Sequence, residues 1–189
     1  MSGRVRLLGI SGSLRARSYN TALLHAARAV APEGVALEIA DIGEVPLFND
    51  DLLPDPPGAV ARLRAQVVAA DGLLLAAPEY NGGVTGVLKN ALDWLSVPPT
   101  ASALRRKHVA LVGASPGMLG TARAQTQLRA VLTLCGARVV AAPEVLVAHA
   151  HRRFDDDLAL ADEQARLLLG KLVGRLVREI RDSHPLVPS

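Results

Sequence analysis

Cysteine, aromatic residues and long apolar runs are all scarce in this chain of 189 residues. Cys135 is the single cysteine, which excludes an internal disulfide and a cysteine-built metal site. Because Cys135 lies near the end of an apolar helix-like stretch, we expect a buried small hydrophobic residue there. No apolar run is long enough to span a bilayer, and the first is too short for a signal peptide. We therefore expect a soluble, cytoplasmic protein with no membrane partner.

The low aromatic content and the small net charge argue against nucleic acid as a partner. Aromatic residues are 3% of the chain, and the formal net charge is +3. So small and dispersed an excess of positive charge predicts neither a basic binding surface nor stacking platforms for bases. Hydrophobic residues make up 50% of the chain and charged residues 21%, a globular composition. The length favours one domain over residues 1–189.

Short, almost continuously apolar runs alternate with longer helix-like segments. The predicted strands are 5–10, 35–40, 72–77, 108–114 and 137–142, and the predicted helices are 20–31, 58–70, 86–96, 121–136 and 158–182. Strands of this kind are typical of a parallel sheet that helices cover on both faces. Five such units predict an α/β fold, a three-layer doubly wound five-stranded parallel sheet.

Two irregular segments interrupt this alternation. The segment 41–58 is rich in Pro and Asp, and a connection of that length is usually functional or involved in contacts. The three acidic residues at 155–157 are interpreted as the negatively charged start of the final helix, not as a metal site.

The stretch GISGSLRARSYNT at 9–21 joins the first strand to the first helix and is dense in hydrogen-bond donors. These donors are the side chains of Ser13, Arg15, Ser18, Asn20 and Thr21. Ligands of a doubly wound sheet bind at the carboxyl ends of its strands. A phosphate there would satisfy the free N–H groups and the dipole of the following helix. The alternative is a capped turn with solvated arginines, which needs fewer donors.

Known phosphate and hydrolase motifs do not fit this loop. Gly9 and Gly12 are spaced wrongly for the dinucleotide pattern G-x-G-x-x-G, and G-K-[ST] is absent. The hydrolase pattern G-x-S-x-G fails because Ser13 occupies its last position. A monophosphate is the better fit, and the flavodoxin-like sheet binds FMN at this position.

Two further glycine-rich loops are expected at the same edge of the sheet, at 77–96 and 113–125. Gly82 and Gly83 would let backbone N–H groups approach the edge of an isoalloxazine ring. Each loop alone could be an ordinary turn. Three of them at one edge favour a flavin site.

The stretches GSLRARSYN, PEYNGGVTGVLKNALDWLS and SPGMLGTARAQTQLR resemble the NADPH-dependent FMN reductase family of flavodoxin-like quinone, azo-dye and metal-ion reductases. The resemblance covers residues from about 5 to about 147. It implies FMN as cofactor, NADPH or NADH as hydride donor, and a small-molecule oxidant such as a quinone. It also implies a two-electron, ping-pong cycle that requires no catalytic residue and no metal for the hydride step.

The resemblance assigns residues to the FMN site in three groups. The phosphate group would be held by Ser13, Leu14, Arg15, Ala16, Arg17, Ser18, Tyr19 and Asn20. The isoalloxazine loop would contain Pro78, Glu79, Tyr80, Asn81 and Gly82, with Ser115 as a contact from the third loop. Arg17 stands where many relatives carry glycine, which adds charge near the phosphate. Thr85 stands where many carry proline, which we expect only to relax a turn.

Two other functions remain possible at this point. A flavodoxin-type electron carrier would share the fold, but such carriers are usually acidic and stack aromatic rings on the flavin. A serine hydrolase would use Ser11 with an Asp and with His149 or His151. Because no acidic residue has a recognisable spacing, we interpret the two histidines as part of a polar loop, not as a triad or a metal site.

The segment 86–96 is apolar on several sides, which indicates deep burial or a partner. Members of the family typically form dimers, often paired into tetramers. We therefore expect a homodimer or homotetramer with two-fold contacts around Trp94. Segment 41–58 is a candidate to reach the neighbouring pocket.

Overall fold

Six parallel strands form the main sheet in the computed structural model, which describes residues 4–183. In chain order the strands are β1 (Val5–Ser11), β2 (Val35–Ala40), β3 (Gly72–Ala76), β4 (Glu79–Tyr80), β5 (Gly83–Val84), β6 (His108–Ala114), β7 (Arg138–Val139) and β8 (Val145–Val147). The main sheet has the order β2-β1-β3-β6-β7, and β8 also pairs with β6. Strands β4 and β5 form a separate antiparallel hairpin.

Five helices cover the two faces of the sheet. They are α1 (Tyr19–Ala29), α2 (Gly58–Ala69), α3 (Gly86–Ser96), α4 (Ala122–Leu134) and α5 (Glu163–Ser183). The core on one face contains residues of α1 and α5, and the core on the other contains residues of α2, α3 and α4. Because helices cover both faces, all residues of β3 and β6 are buried. The predicted three-layer, flavodoxin-like α/β architecture is confirmed.

The strand order reverses between β1 and β3. From β1 the chain moves to one side to form β2, and then crosses back to form β3 on the other side of β1. Ligand sites of doubly wound sheets lie at such a reversal, beyond the carboxyl ends of the strands. The loops that follow β1, β3 and β6 therefore share one edge of the sheet.

The last part of the sheet differs from the predicted strand at 137–142. Strand β7 pairs with β6 only at residues 138–139, and the chain returns to the sheet as β8 at residues 145–147. Pro143 lies between the two strands and has no N–H to donate to a ladder. The apolar run 137–142 therefore contains only the short strand β7, and β8 follows it after an irregular connection.

The final helix begins at Glu163, not at 158 as expected. Residues 155–157 lie in the preceding loop, where the carboxylate of Asp155 accepts the N–H groups of Asp157 and Ala159. The first turn of α5 is capped by Asp162, whose Oδ1 accepts the N–H of Ala165 at 2.7 Å. This hydrogen bond lowers the pKa of Asp162 from its ordinary value, with a smaller contribution from Arg153.

Segment 41–58 covers α3 of its own chain. Trp94 is 2% exposed, its Nε1 donates to the carbonyl of Pro46 at 2.8 Å, and its ring meets Phe48 edge-to-face. The amide of Asn90 also donates to Pro46 and accepts the N–H of Phe48. The same chain therefore buries the Trp94 side chain, while the expected two-fold contacts around this helix stay a prediction.

Cys135 is half-buried at the end of α4 and not fully buried as expected. Its partial burial raises the pKa of the thiol, and the charge of Asp93 acts in the same direction.

Within residues 4–183, no helix has the length and apolar character needed to cross a membrane. In the same range, no three His, Cys, Asp or Glu side chains are grouped so that they could hold a metal ion.

Candidate functional site

The loops after β1, β3 and β6 surround one cavity of about 170 Å³. It is lined by Ser13, Arg15, Ser18, Tyr19, Asn20, Pro78, Glu79, Tyr80, Ala114, Ser115 and Pro116. Nine of these residues belong to the site predicted from the sequence. The other predicted residues, which are Leu14, Ala16, Arg17, Asn81 and Gly82, lie in the same loops but do not line the cavity.

A larger open groove of about 760 Å³ lies along α5. Its cations include Arg166, Lys171 and Arg178, which a surface helix normally presents to water. The cavity beside β1 is smaller, but polar groups from three separate loops converge on it. We therefore place the functional site at the smaller cavity.

Serine hydroxyls hold the first loop in a series of hydrogen-bonded turns. Ser11 accepts the N–H of Ser13 at 3.3 Å and the hydroxyl of Thr21 at 2.9 Å. Ser13 in turn accepts the N–H of Arg15, and Ser18 caps α1 by accepting the N–H groups of residues 20 and 21. These bonds hold the loop against the N-terminus of α1, where the helix dipole favours an anion.

Some donors of this loop remain available to a ligand. Within the described part of the chain, the main-chain N–H groups of Arg17 and Tyr19 donate to no protein acceptor. The hydroxyls of Ser13 and Ser18 accept hydrogen bonds there, so each keeps a proton that it can donate. The arrangement suits a phosphate monoester, which needs several donors close together.

Asn20 has a different role from the one expected. Its Nδ2 donates to the carbonyl of Ala114 at 2.9 Å, and its Oδ1 accepts the N–H of Ala114 at 3.0 Å. The side chain is buried, and both of its amide groups are used in this pair. Asn20 therefore joins the first loop to the end of β6 instead of presenting its amide to a ligand.

The two arginines of the loop point to different partners. Arg15 lines the cavity, and its Nη2 donates to the carbonyl of Arg17 at 2.9 Å. The Nη2 of Arg17 donates to the main-chain carbonyl of Asp156 at 2.6 Å, outside the cavity. Of the two arginines, only Arg15 therefore lines the space that an anion would occupy.

The second loop is the β4–β5 hairpin, with Asn81 and Gly82 at its tip. Both residues have positive φ, of 51° and 74°, as a two-residue hairpin turn requires. Helix α4 anchors the hairpin at two points. Glu79 Oε2 accepts the N–H groups of residues 123 and 124 at 2.9 and 3.1 Å, and Gln127 accepts the N–H of Val84. The Glu79 carboxylate thus serves as a cap for α4, where its charge is favourable.

Thr85 links the first loop to the second. Its hydroxyl donates to the carbonyl of Gly12 at 2.8 Å, and the side chain is buried. A Cβ added at Gly12 would lie 2.8 Å from Pro78 Cδ and 2.9 Å from Thr85 Oγ1, so only glycine fits there. The expectation that Thr85 only relaxes a turn is wrong, because a proline could not make this bond.

The third loop is joined to the end of β8. Ser115 donates its N–H to Val147 and accepts the N–H of Ala150 at its carbonyl. Its hydroxyl accepts the N–H of Gly117 at 3.1 Å and retains a proton for a ligand.

The hydrolase alternative finds no support in this geometry. Ser11 is buried, and its hydroxyl contacts only Ser13 and Thr21 among the described residues. The rings of His149 and His151 lie 6.3 Å apart in the loop after β8. No histidine or carboxylate in residues 4–183 hydrogen-bonds to Ser11, so a catalytic triad is not formed.

A model of the NADPH-dependent FMN reductase family matches residues 5–152. The chain belongs to this family. An NAD(P)H-dependent FMN reductase of Pseudomonas aeruginosa is 46% identical over 186 residues, which are 96% of this chain and 100% of the relative. A 2-hydroxy-1,4-benzoquinone reductase of a Burkholderia species is 36% identical, over 94% of this chain and 97% of the relative.

The structure of a flavoenzyme NAD(P)H:(acceptor) oxidoreductase of Paracoccus denitrificans superposes on this chain with a TM-score of 0.86. It is 31% identical and covers 94% of this chain and 98% of its own. Together with the family match, these similarities confirm the expected oxidoreductase class and the use of FMN and NAD(P)H. They favour an enzyme over an electron carrier.

Proposed function

We propose that this FMN-dependent NAD(P)H oxidoreductase passes two electrons to a quinone-class acceptor in a ping-pong cycle. The observation that carries the proposal is the convergence of three loops on one cavity, where the first loop leaves phosphate donors free and the second loop carries the exposed ring of Tyr80. The name of the Burkholderia relative, a benzoquinone reductase, supports the acceptor class.

The residues at the first loop fit the phosphate of FMN. The Arg15 guanidinium, the hydroxyls of Ser13 and Ser18, and the N–H groups of Arg17 and Tyr19 would share the phosphate oxygens. Leu14 and Ala16 would contribute only by separating Ser13, Arg15 and Arg17 along the loop. When bound, FMN supplies the hydride chemistry, which no side chain of this site can provide.

The hairpin would hold the isoalloxazine ring through main-chain groups. Glu79 Oε2 already accepts two N–H groups of α4, which fixes the position of this side chain beside the hairpin. The backbone from Pro78 to Gly82 would therefore face the polar edge of the ring, with Ser115 on the neighbouring loop. Donors along this edge favour the negative charge that develops there on reduction.

The loops around the cavity carry exposed apolar side chains. Tyr80 lines the cavity and is 59% exposed, and the same loops expose Leu14 and Met118, of which Met118 is 76% exposed. Planar aromatic compounds bury apolar area against such side chains, whereas hydrated metal ions gain nothing from them. Because the three loops surround one cavity, the oxidised nicotinamide would leave before the acceptor binds.

We further propose a homodimer or homotetramer in the cytoplasm, interacting with no nucleic acid and no membrane. Exposed apolar side chains such as Val68 support a covered surface somewhere on the molecule. Sedimentation of the FMN-loaded protein at micromolar concentration tests the assembly, and a mass of one chain would contradict it. Cell fractionation tests the location.

The acceptor is tested by steady-state turnover of the FMN-loaded protein with NADPH and with NADH. We expect 1,4-benzoquinone to be reduced with parallel lines in double-reciprocal plots, as a ping-pong cycle requires. Hexacyanoferrate(III), an anionic metal complex, is the comparison acceptor and is expected to be the poorer substrate. Converging lines would overturn the ping-pong cycle, and a better rate with the metal complex would overturn the quinone class.

A further inference from the structure

The loop between β8 and α5 lies against the candidate phosphate loop. We call residues 153–162 the strap. Two contacts join the strap to residues near the start of α1. Arg17 Nη2 donates to the carbonyl of Asp156 at 2.6 Å, and the rings of Tyr19 and Phe154 pack with their centroids 5.1 Å apart.

The strap is internally braced, so it can serve as a fixed support. Asp155 exchanges hydrogen bonds with Ala159 through its main-chain N–H and its carboxylate. Phe154 and Leu160 form an isolated antiparallel bridge and are both buried in the core. Arg153 pairs with Asp162, the residue that caps α5. These contacts connect the segment around Asp156 to the start of α5.

Arg17 is held from both sides. Its carbonyl accepts the guanidinium of Arg15, and its own guanidinium reaches the strap. Between these two bonds lies its main-chain N–H, one of the donors left for a phosphate. Holding the Arg17 side chain in place thus fixes the direction of this N–H. The contact between the rings of Tyr19 and Phe154 likewise fixes the direction of the Tyr19 N–H, the other free donor.

We propose that Arg17 is a positioning residue for the cofactor phosphate, acting through the carbonyl of Asp156. It aligns the N–H donors of residues 17–19 and couples occupancy of the site to the order of the strap and of the first turn of α5. A direct bond from this guanidinium to the phosphate does not fit, because its Nη2 is on Asp156 and the residue does not line the cavity. The inference rests on the proposed FMN site at the first loop.

Hydrogen–deuterium exchange of the strap is the decisive measurement. Coupling between two sites is reciprocal. If the strap aligns the donors that bind FMN, then binding of FMN must also stabilise the strap. In the wild-type protein, we expect saturating FMN to slow exchange in residues 153–162, although these residues line no part of the cavity. In Arg17→Ala at saturating FMN, this added protection should disappear, while in Arg15→Ala it should persist.

The affinity of the variants for FMN provides a second readout. We expect Arg17→Ala to bind FMN roughly three- to tenfold more weakly, the range for loss of one hydrogen bond. Its loss of affinity for riboflavin, which has no phosphate, should be smaller. Asp156→Asn is the matched control, since it changes the side chain but keeps the carbonyl, and it should bind FMN like the wild type.

Phe154→Leu tests the other contact between strap and helix without touching Arg17. We expect it to weaken FMN binding, and to do so non-additively with Arg17→Ala, because both substitutions loosen the same support. Full strap protection in FMN-loaded Arg17→Ala, or a loss of affinity in Asp156→Asn equal to that in Arg17→Ala, would overturn the inference. Failure of the wild-type protein to bind FMN at all would instead overturn the proposed site.

Discussion

At the scale of single residues, the two arginines of the first loop separate binding from positioning. Arg15 is the cation beside the cavity, so we expect Arg15→Ala to weaken FMN binding more than Arg17→Ala does. Loss of a charge-assisted contact costs about 1.5–3 kcal/mol, roughly ten- to a hundredfold in affinity. Titration of the apo-protein followed by flavin fluorescence measures the change. Equal affinity of Arg15→Ala and the wild type would refute the assignment of the phosphate loop.

Two glycines, one in β6 and one in α5, provide a residue-scale test of how tightly each position is packed. A Cβ at Gly113 would lie 1.9 Å from Thr121 Oγ1 and 2.6 Å from the carbonyl of Ala77, so Gly113→Ala should destabilise the protein by several kcal/mol. Gly174, in α5, has no atom within 4 Å of an added Cβ. There, Gly174→Ala should stabilise by about 0.5–1 kcal/mol through helix propensity. Urea unfolding of both variants checks the contrast, and equal effects would contradict it.

At the scale of elements, the cap of α5 predicts a dependence of stability on pH. Because the folded-state pKa of Asp162 is lowered from its ordinary value of 3.8, its stabilisation is present above that pH and is lost as the pH falls through the folded-state pKa. Asp162→Ala should cost about 1 kcal/mol at pH 7 and progressively less below pH 3.8. Thermal unfolding of both proteins from pH 7 down to about pH 2.5 measures the difference, because the Asp162 carboxyl is titrated within this range. A constant difference down to the lowest pH would show that the carboxylate charge has no part in the cap.

Helix α3 and segment 41–58 form a second element-scale unit. Replacing Trp94 by Phe removes the hydrogen bond to Pro46 and part of the ring that Phe48 contacts. We expect Trp94→Phe to lower the free energy of unfolding by about 1–3 kcal/mol without changing the mass in solution. Gln66→Ala, at an exposed polar position of α2, is the control and should be nearly neutral. A change of oligomeric mass in Trp94→Phe would indicate that this side chain does serve an interface.

At the scale of the whole molecule, the site depends on side chains that tie separate loops together. Asn20 joins the first loop to β6, Thr85 joins it to the second loop, and Glu79 joins the hairpin to α4. The side chain of Thr85 does not line the cavity, but we expect Thr85→Val to weaken FMN binding because the first loop loses its bond to the second. The bond between Thr85 and Gly12 is lost while the volume is kept, and the unpaired buried carbonyl should lower the free energy of unfolding by about 1–3 kcal/mol. Urea unfolding measures this loss and isothermal titration with FMN measures the weaker binding, with Thr126→Val on exposed α4 surface as the control.

The sequence by itself determined the architecture and the location of the site. Apolar strands alternating with helices define a doubly wound sheet, and this topology brings the loops after β1, β3 and β6 to one edge. The Ser18 cap and the hairpin turn at Gly82 depend on residues near in sequence, so local chemistry is sufficient to explain them once the structure is known. Gly12 and Thr85 gave no such signal, since the bond between them spans 73 residues.

Only the tertiary structure decided which polar groups are used internally and which remain for a ligand. Asn20, Glu79 and Arg17 all looked like ligand donors or acceptors, yet each forms its hydrogen bonds with a distant part of the chain. The same holds for Trp94, whose ring contacts Pro46 and Phe48 of segment 41–58 in its own chain. A sequence shows which groups can form hydrogen bonds or bury apolar area, but their partners are chosen by proximity in space, which the packing of the whole chain sets.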